Sequence, residues 1–269
     1  MKCKHRLLEI YKTPEIIYNL KRQEIINIKG FNETLANMLL DKEKRDKLEK
    51  YMEDMQKQEI DIITIEDKEY PQLLKNIYDY PISLYCKGNK EILNRTSFGI
   101  IGCREASPYG MKAARYFAYY LAQKGNNIVS GLARGIDSYA HIGALQANGK
   151  TIGVIGSGLD VIYPKENQYL YDKIVKQNGA ILSEYPLGVE PMKMHFPARN
   201  RIISGISKGI IVVEAKKKSG TLITVDFALE QGRDVYVVPG NIDSINSVGT
   251  NDLIKQGAQI ATIFKDIKF

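Results

Sequence analysis

Six short apolar runs alternate with amphipathic segments between residues 97 and 240. The runs read SFGIIG, NIVSG, TIGVIG, AILSEY, GIIVVEA and DVYVVPG. Continuous apolarity over so few residues is typical of parallel strands that are buried on both faces of a sheet. The segments between the runs place apolar residues three and four positions apart, which is the spacing of a helix with one buried face. The alternation therefore predicts a doubly wound α/β fold with a mostly parallel sheet.

The start of the chain follows a different pattern. Residues 1–58 are charged, and apolar residues at helical spacing predict a small helical domain; the clearest stretches are PEIIYNL, ETLANMLL and KRDKLEKYMEDMQKQ. IINIKGF followed by ETLANMLL resembles a helix-hairpin-helix motif of the SAM-like kind, whose glycine turn presents backbone N–H groups to phosphate. A glycine that simply closes a helix explains the same residues. The β-rich runs IDIITIED and PISLYCKGN then lead into the α/β domain, for which we predict residues 59–269.

The carboxyl ends of the predicted strands share a distinctive composition. These ends read GCREAS, SGLARGID, GSGLDVIYPKEN, SEYPLG and EAKKKSGT. Nearly all of them combine glycine, which permits close backbone approach, with a hydroxyl or basic side chain. Ligands bind beyond the carboxyl ends of strands in such sheets, and helix N-termini at that edge favour anions. The strand ends therefore predict an anion-binding rim, because glycines that merely close turns would explain one or two of these loops but not five.

Known nucleotide-binding motifs do not account for this rim. Gly156 and Gly158 begin a G-x-G pattern, but Val161 occupies the position of the third glycine, and the pattern follows the third strand of the alternation rather than the first. GLARGID has no lysine after its second glycine, so the sequence contains no Walker ATPase motif. We therefore expect no bound cofactor.

The rim also lacks a recognisable catalytic set. Ser219 lies in a Ser-Gly-Thr helix start rather than in a nucleophile elbow, and His141 precedes the apolar residues IGAL, which indicate a helix packed on the sheet. Asp137, Asp160 and Glu184 stand at strand ends, where a carboxylate can act as an acid or base but can equally cap a helix or pair with an arginine. We expect a binding protein rather than an enzyme.

The segment FPARNRIISGIS, residues 196–207, carries two arginines near the start of a predicted helix. Arg199 and Arg201 lie about 200° apart on a regular helix, so one is expected to serve the sheet and the other the ligand. Upstream, Lys193 supplies a positive charge and Phe196 supplies an aromatic ring three residues later. Proteins that bind single-stranded nucleic acid combine a cation for the backbone with a ring for the base.

Charge and composition narrow the function classes. The net charge is +7; residues 1–90 carry 17 Lys and Arg against 16 Asp and Glu, and residues 91–269 carry 21 against 15. A basic excess in the predicted α/β domain favours a polyanionic partner. Cys3, Cys86 and Cys103 are scattered, as expected of reduced thiols, and the three histidines show no metal-ligand spacing. With no apolar run of about 20 residues and no secretion-type start, a cytoplasmic protein without a metal site is expected.

Eight motifs, in order, resemble the DNA-processing protein A family, DprA or Smf. They are GCR, SGLARGIDSYAHIGAL, TIGVIGSGLDVIYPKEN, GAILSEYP, FPARNRIISGIS, GIIVVEAKKKSGTLIT, GRDVYVVPG and NDLIKQGA. The resemblance implies an extended Rossmann-like domain that binds single-stranded DNA without turnover. It also implies a role in natural transformation, in which the protein protects incoming DNA and loads the recombinase RecA onto it.

By motif, the resemblance carries DNA contacts onto Arg104, Lys165, Lys193 and Phe196. With the neighbouring rim residues, the predicted DNA-binding set is Arg104, Gly131, Arg134, Lys165, Lys193, Phe196, Arg199, Asn200, Arg201, Ser219, Gly220 and Thr221. Cys103 stands where the family usually has a serine. No winged-helix domain is expected after the sheet, as in some members of the family.

The family also implies a homodimer that forms through its C-terminal region, which matches NDLIKQGAQI, residues 251–260, in this chain. Leu253, Ile254 and Ile260 are the predicted interface residues. Ordinary core packing would explain the same apolar positions.

One enzymatic alternative stays open. Rossmann-like hydrolases of nucleotides or nucleoside monophosphates also use glycine-rich strand ends and a helix start similar to Ser-Gly-Thr. Such enzymes carry an arginine and a glutamate near a P-G-G-x-G-T loop, whereas VVPGNIDS has no second glycine. The difference favours a DNA-binding protein over such a hydrolase.

Overall fold

The computed structural model describes residues 2–268, apart from the side chains of residues 2–5, 14, 44 and 45. Cys3 and His5 therefore lie outside the described side chains. The chain forms two compact units, Met1–Glu59 and Ile60–Phe269. None of the described helices has the length and apolarity that are needed to cross a lipid bilayer.

The first unit consists of short helices around a small apolar core. The helices are α1 (Lys2–Tyr11), α2 (Pro14–Tyr18), α3 (Arg22–Ile26), α4 (Glu33–Leu39), α5 (Lys42–Asp46) and α6 (Leu48–Lys57). The core residues are Leu7, Leu20, Ile25, Ile28 and Ala36. The turn between α3 and α4 contains Gly30, whose φ of +93° favours glycine. The side chain of Asn32 caps α4 by accepting a hydrogen bond from the Leu35 amide.

The second unit is an α/β domain whose described residues form one nine-stranded sheet. Its strands are β1 (Ile60–Thr64), β2 (Ser83–Gly88), β3 (Ser97–Gly102), β4 (Asn127–Ser130), β5 (Thr151–Ile155), β6 (Ala180–Ser183), β7 (Gly209–Glu214), β8 (Asp234–Val237) and β9 (Gln259–Ile260). Its helices are α7 (Gln72–Lys75), α8 (Pro108–Gln123), α9 (Ile136–Gln146), α10 (Gln168–Lys176), α11 (His195–Gly205), α12 (Gly220–Glu230) and α13 (Val248–Lys255).

The strand order creates a crevice in the middle of the sheet. The order is β1-β2-β6-β5-β4-β3-β7-β8-β9, in which β1–β2 and β2–β6 are antiparallel and the other pairs are parallel. The chain runs outward from β3 to β6 and then returns to place β7 on the free side of β3. The helices after β3 and β7 pack on opposite faces of the sheet. Their loops therefore diverge, which opens a crevice at the carboxyl ends of these two strands.

Both faces of the central strands are covered by helices. On β3, Phe98 and Ile100 pack on one face with Phe117 of α8, whereas Ile101 packs on the other face with Ile202 of α11. Two covered faces require apolar side chains in both directions, which is why the strands appear in the sequence as unbroken apolar runs. The predicted doubly wound, mostly parallel α/β fold is confirmed, and the antiparallel strands β1 and β2 extend the sheet on one side.

His141 lies within α9 and is fully buried. Its Nδ1 atom is 2.7 Å from the hydroxyl oxygen of Thr151 on β5, and its Nε2 atom has no hydrogen-bond partner among the described residues. Burial, with a smaller contribution from the positive charge of Arg199, lowers the pKa of His141 from 6.5 to about 3. The imidazole is therefore neutral near pH 7 and belongs to the packed interior, as the apolar residues after it in the sequence indicate.

This buried imidazole predicts a pH dependence of stability. Because its folded-state pKa is depressed, its contribution is complete above pH 6.5 and is lost as the pH falls toward about 3. In this window the free energy of unfolding of the native protein should fall by roughly 1 kcal/mol per pH unit more than that of His141→Gln. Urea unfolding of both proteins, followed by circular dichroism, measures the difference. Parallel pH profiles for the two proteins would contradict the prediction.

Candidate nucleic-acid interface

A pocket of about 550 Å³ lies over the carboxyl ends of β3 and β7, where their loops diverge; we refer to it as the rim pocket. Its lining brings together eight of the predicted DNA-binding residues: Arg104, Lys193, Phe196, Arg199, Asn200, Ser219, Gly220 and Thr221. These residues come from the loop after β3, from α11 and the loop before it, and from the start of α12. Residues separated by more than a hundred positions in the sequence thus share one site.

A smaller pocket of about 170 Å³ adjoins the rim pocket, and Arg104 and Phe196 line both. Two further predicted residues, Gly131 and Arg134, line the smaller pocket. Lys165 is exposed and follows Pro164, which lines this pocket, but Lys165 itself lines neither.

Arg199 forms the buried floor between α11 and the sheet. Its guanidinium donates hydrogen bonds to the backbone carbonyls of Gly131 (2.7 Å), which follows β4, and of Val154, which is the second-last residue of β5. Its Nε atom donates to the side-chain oxygen of Asn200 at 3.2 Å. Burial lowers the pKa of Arg199 to about 10, so the guanidinium is still charged near pH 7. Arg199 therefore lines the rim pocket, but its Nε and Nη1 atoms donate their hydrogen bonds to other atoms of the protein.

Asp137 is the buried counter-charge of this floor. Its carboxylate accepts hydrogen bonds from the backbone amides of Gly131 (3.1 Å) and Ala133 (3.4 Å). Burial raises the pKa of the Asp137 carboxyl, and the Arg199 charge opposes that rise. A Cβ atom on Gly131 would lie 2.6 Å from the Arg199 guanidinium, which explains the glycine. Gly131, which was predicted to contact DNA, lines the smaller pocket, and both of its backbone polar groups are bonded within the protein.

Arg201 lies on the opposite side of α11 and does not line the rim pocket. Its guanidinium donates to the carboxylate of Glu184 at 2.7 Å and to the backbone carbonyl of Asp79 at 2.8 Å. Only 4% of its side chain is exposed. Helical geometry thus separates the two arginines, as expected, and it places Arg201, which was also predicted to contact DNA, in a buried ion pair with Glu184.

Aromatic rings form one wall of the rim pocket. The guanidinium of Arg104 lies over the ring of Phe196, 5.2 Å from its centroid, and the ring of Tyr163 is 5.6 Å from that of Phe196. Cations favour the face of an aromatic ring, so Arg104 and Phe196 hold each other in place. Sequence reasoning missed Tyr163, although it is the first residue of the YPKEN motif, and an aromatic residue two positions before Lys165 is a signal that could have drawn attention to it.

The opposite wall is the start of α12. The hydroxyl of Ser219 caps this helix by accepting a hydrogen bond from the Thr221 amide. No heavy atom lies within 4 Å of the position that a Cβ atom on Gly220 would take, so the backbone here is open to a ligand. The hydrogen-bonding groups at the N-terminus of a helix suit an anion, and this part of the predicted rim therefore has the geometry for phosphate.

A buried carboxylate fixes the loop between β3 and α8. Glu214, at the end of β7, accepts hydrogen bonds from the backbone amide of Ser107 (3.0 Å) and from its hydroxyl. The same hydroxyl accepts a hydrogen bond from the Gly110 amide at 3.1 Å and so caps α8. Glu214 thereby holds in register the two loops that flank the crevice.

Two basic residues at the pockets are paired with exposed glutamates. Lys216 Nζ lies 2.8 Å from Glu105 Oε2, and Arg134 contacts Glu166. These contacts lower the pKa of both glutamates, chiefly through the hydrogen bond that each carboxylate accepts. Sequence reasoning quoted Lys216 and Glu105 in the strand-end motifs but did not single them out.

The predicted interface residues differ in burial. Leu253 and Ile254 are partly buried and pack against the core of the α/β domain, whereas Ile260 on β9 is 50% exposed. Core packing thus accounts for the first two residues, and Ile260 is the one that offers free apolar surface.

No site for a metal ion is formed by the described His, Cys, Asp and Glu side chains. Cys86 and Cys103 are free and buried. Burial raises the pKa of the Cys86 thiol to about 12 and also raises that of Cys103, so both thiols are protonated near pH 7.

The family model of DNA recombination-mediator protein A matches residues 61–268 of the chain. The chain is 45% identical over 222 residues to DNA processing protein DprA of Bacillus subtilis (strain 168), which covers 82% of this chain and 74% of that protein. It is 48% identical over 204 residues to DNA processing protein DprA of Streptococcus pneumoniae, which covers 76% and 72% of the two chains. Protein Smf of Escherichia coli (strain K12) is 46% identical over 201 residues, with 75% and 54% covered.

Two solved structures resemble the fold. The X-ray structure of DprA from Streptococcus pneumoniae superimposes with a TM-score of 0.87 at 39% identity, over 99% of this chain and 93% of that one. A structure of DNA processing protein A from Helicobacter pylori, described for its single-stranded DNA binding mode, has a TM-score of 0.69 at 34% identity, over 76% of this chain and 93% of that one.

The buried position of Arg199 predicts a role in stability. Arg199→Met should lower the free energy of unfolding by about 2–4 kcal/mol, because it removes the hydrogen bonds to the Gly131 and Val154 carbonyls and leaves Asp137 without its cation. The matched control is Arg104→Met, which removes an exposed arginine of the same pocket and should cost less than about 1 kcal/mol. Urea unfolding at neutral pH compares the two variants. An equal loss in both would show that Arg199 does not hold the helix to the sheet.

Proposed function

The chain belongs to the DNA recombination-mediator protein A family, DprA or Smf, as its ordered motifs predict, and we propose that it binds single-stranded DNA in the rim pocket. The observation that carries the proposal is an aromatic ring placed among cations at an open crevice. Arg104 lies over Phe196, and Lys193 lines the same pocket. In single-strand binding proteins, bases stack on aromatic side chains while Lys and Arg contact the backbone phosphates.

The relatives support this ligand class. The Helicobacter pylori protein, 34% identical to this chain, is described for a single-stranded DNA binding mode, and the Bacillus subtilis and Streptococcus pneumoniae proteins are DNA processing proteins. A net charge of +7 suits a polyanionic ligand of this kind.

The proposed contacts follow from what each side chain leaves free. The residues assigned to DNA are Arg104, Lys193, Phe196, Asn200, Ser219, Gly220 and Thr221, with Arg134 and Lys165 on the flank of the smaller pocket. Phe196 supplies a surface for a base, and the start of α12 supplies backbone groups for a phosphate. Arg199 is a positioning residue, because its hydrogen bonds hold α11 on the sheet.

The proposed cellular role is that of a recombination mediator. The family model is named for this role, and it spans residues 61–268. We propose that the chain protects incoming single-stranded DNA in natural transformation and loads the recombinase RecA onto it. A DNA strand that is bound by exposed side chains at the carboxyl ends of the β-strands has its opposite side free for a second protein.

A homodimer is part of the proposal. The half-exposed Ile260 on β9 supplies apolar surface that a second copy would cover, with the partly buried Leu253 and Ile254 of α13 as the other predicted interface residues. Light scattering of the purified protein distinguishes a dimer from a monomer.

We propose binding without turnover, in contrast to a hydrolase of nucleotides or nucleoside monophosphates. The buried carboxylates around the rim pocket already have protein partners: Asp137 accepts hydrogen bonds from two backbone amides, and Glu214 accepts from Ser107. A carboxylate acts as a general base only within hydrogen-bond reach of the proton that it removes. Their engagement in the protein is what favours binding over hydrolysis.

A titration by fluorescence anisotropy tests the proposal directly. A labelled single strand should bind at least about tenfold more tightly than a duplex of the same sequence, because stacking on Phe196 needs an unpaired base face. ATP should not compete. Equal affinity for single strand and duplex at moderate salt would count against the proposal. Phosphate or free base released above background from ATP or a nucleoside monophosphate would favour the hydrolase instead.

The two kinds of contact should respond differently to salt. Phe196→Ala should weaken binding by roughly 1–3 kcal/mol without changing the dependence of affinity on salt, because stacking carries no charge. Arg104→Ala should flatten the slope of log affinity against log salt by up to about 0.7, the value of one phosphate contact. Anisotropy titrations over a range of salt concentrations measure both effects. Tyr78→Ala removes a ring that is 93% exposed outside both pockets and should change neither; normal binding by both pocket variants would place the site elsewhere.

A further inference from the structure

Lys216 lines the rim pocket but lies outside the set of residues that the family motifs assign to DNA. It lies two residues beyond the end of β7, and its partner Glu105 lies three residues beyond the end of β3. Their ion pair, with Nζ and Oε2 2.8 Å apart, therefore joins the two loops that diverge at the crevice. The Lys216 side chain is 40% exposed and that of Glu105 is 83% exposed, so solvent and ligands can reach both.

Glu105 places a negative charge in the lining of a pocket that is otherwise rich in cations. A carboxylate that lines an anion-binding pocket repels an approaching polyanion. The contact with Lys216 lowers the pKa of Glu105 and raises the pKa of Lys216, so both groups are charged near pH 7. A pair as exposed as this one contributes little to folding stability. The pairing therefore has more effect on the charge that the pocket presents than on the fold.

We propose that Lys216 is a phosphate-binding residue of the rim pocket, and that Glu105 occupies it until a phosphate of the DNA takes its place. The inference rests on the proposed function and adds a residue and a mode of regulation to that site. A phosphate oxygen offers the lysine ammonium the same charge-assisted hydrogen bond as a carboxylate oxygen does. The exchange thus replaces one partner by another, while Glu105 keeps Lys216 extended toward the pocket in the free protein.

The same arrangement recurs at the smaller pocket. Arg134 lines that pocket and is bound by the exposed carboxylate of Glu166. Arg104 and Lys193, in contrast, form no ion pair with any of the described residues. The two pockets together thus present two cations that are free to bind a DNA strand and two cations that a DNA strand must take over from glutamates. A ligand with several phosphates gains from all four, whereas a single phosphate gains little from the exchange.

A double-mutant cycle between Glu105 and Lys216 tests the proposal. The proteins are the native chain, Glu105→Gln, Lys216→Ala and the double variant, and the probe is a fluorescein-labelled oligodeoxythymidylate at low salt. Lys216→Ala should weaken binding about three- to tenfold and flatten the salt slope by up to about 0.7. Glu105→Gln should tighten binding about threefold when Lys216 is present, because the lysine is then free before the strand arrives. In the Lys216→Ala background the same change should tighten binding by less than about 1.5-fold.

The matched controls lie toward the amino ends of the same two strands, away from the rim pocket. Lys208 immediately precedes β7 and Glu91 precedes β3, and both are exposed. Lys208→Ala and Glu91→Gln should leave the affinity unchanged.

Three outcomes would overturn the proposal. Normal binding by Lys216→Ala would show that this lysine holds no phosphate. An equal gain from Glu105→Gln in both backgrounds would show that Glu105 acts by general repulsion and not by holding Lys216. If the native protein binds no single-stranded DNA, the proposed function and this inference fail together, whereas native binding with no coupling between the two residues overturns only the inference.

Discussion

The guanidinium of Arg199 joins helix α11 to the ends of two central strands, and the rim pocket depends on that junction. It donates hydrogen bonds to the backbone carbonyls of Gly131, just after β4, and of Val154 in β5. A cation is tolerated in the interior only when hydrogen bonds and a counter-charge replace its water, and Asp137 supplies that charge. Because α11 also carries Phe196, the contact that completes the strand ends also positions the aromatic wall.

Buried contacts hold helix α11 on two sides, and its first turn, which carries Phe196, lines the rim pocket. Arg199 binds the strand ends on one side, and Arg201 binds Glu184 and Asp79 on the other. Neither arginine is left exposed for a ligand. The exposed charges that face the rim pocket come instead from the loops around it, and their side chains take no part in these buried contacts. Buried support and exposed charge are thus provided by different residues.

Local pattern was enough to predict most of the fold and part of the site. The strands β3–β8 are unbroken apolar runs, and few other structures accommodate such runs between amphipathic helices. The roles of the two arginines could not be predicted, because their partners lie far away in the sequence; Arg201 and Asp79 are 122 residues apart. The role of Lys216 could not be predicted either, because it is the first of three consecutive lysines. Only the fold shows that Lys216, and not Lys217 or Lys218, lines the rim pocket.

The edges of the sheet have a consequence for how the protein behaves when it is concentrated. One edge is β9, which has only two residues, and the other is β1, on which the Asp61 carboxylate lies 3.2 Å from the Lys90 ammonium. A long apolar edge strand presents a row of unpaired backbone groups that invites another chain to add to the sheet. A short edge and a charged edge present little of that template. Aggregation by continued strand pairing is therefore discouraged at both edges.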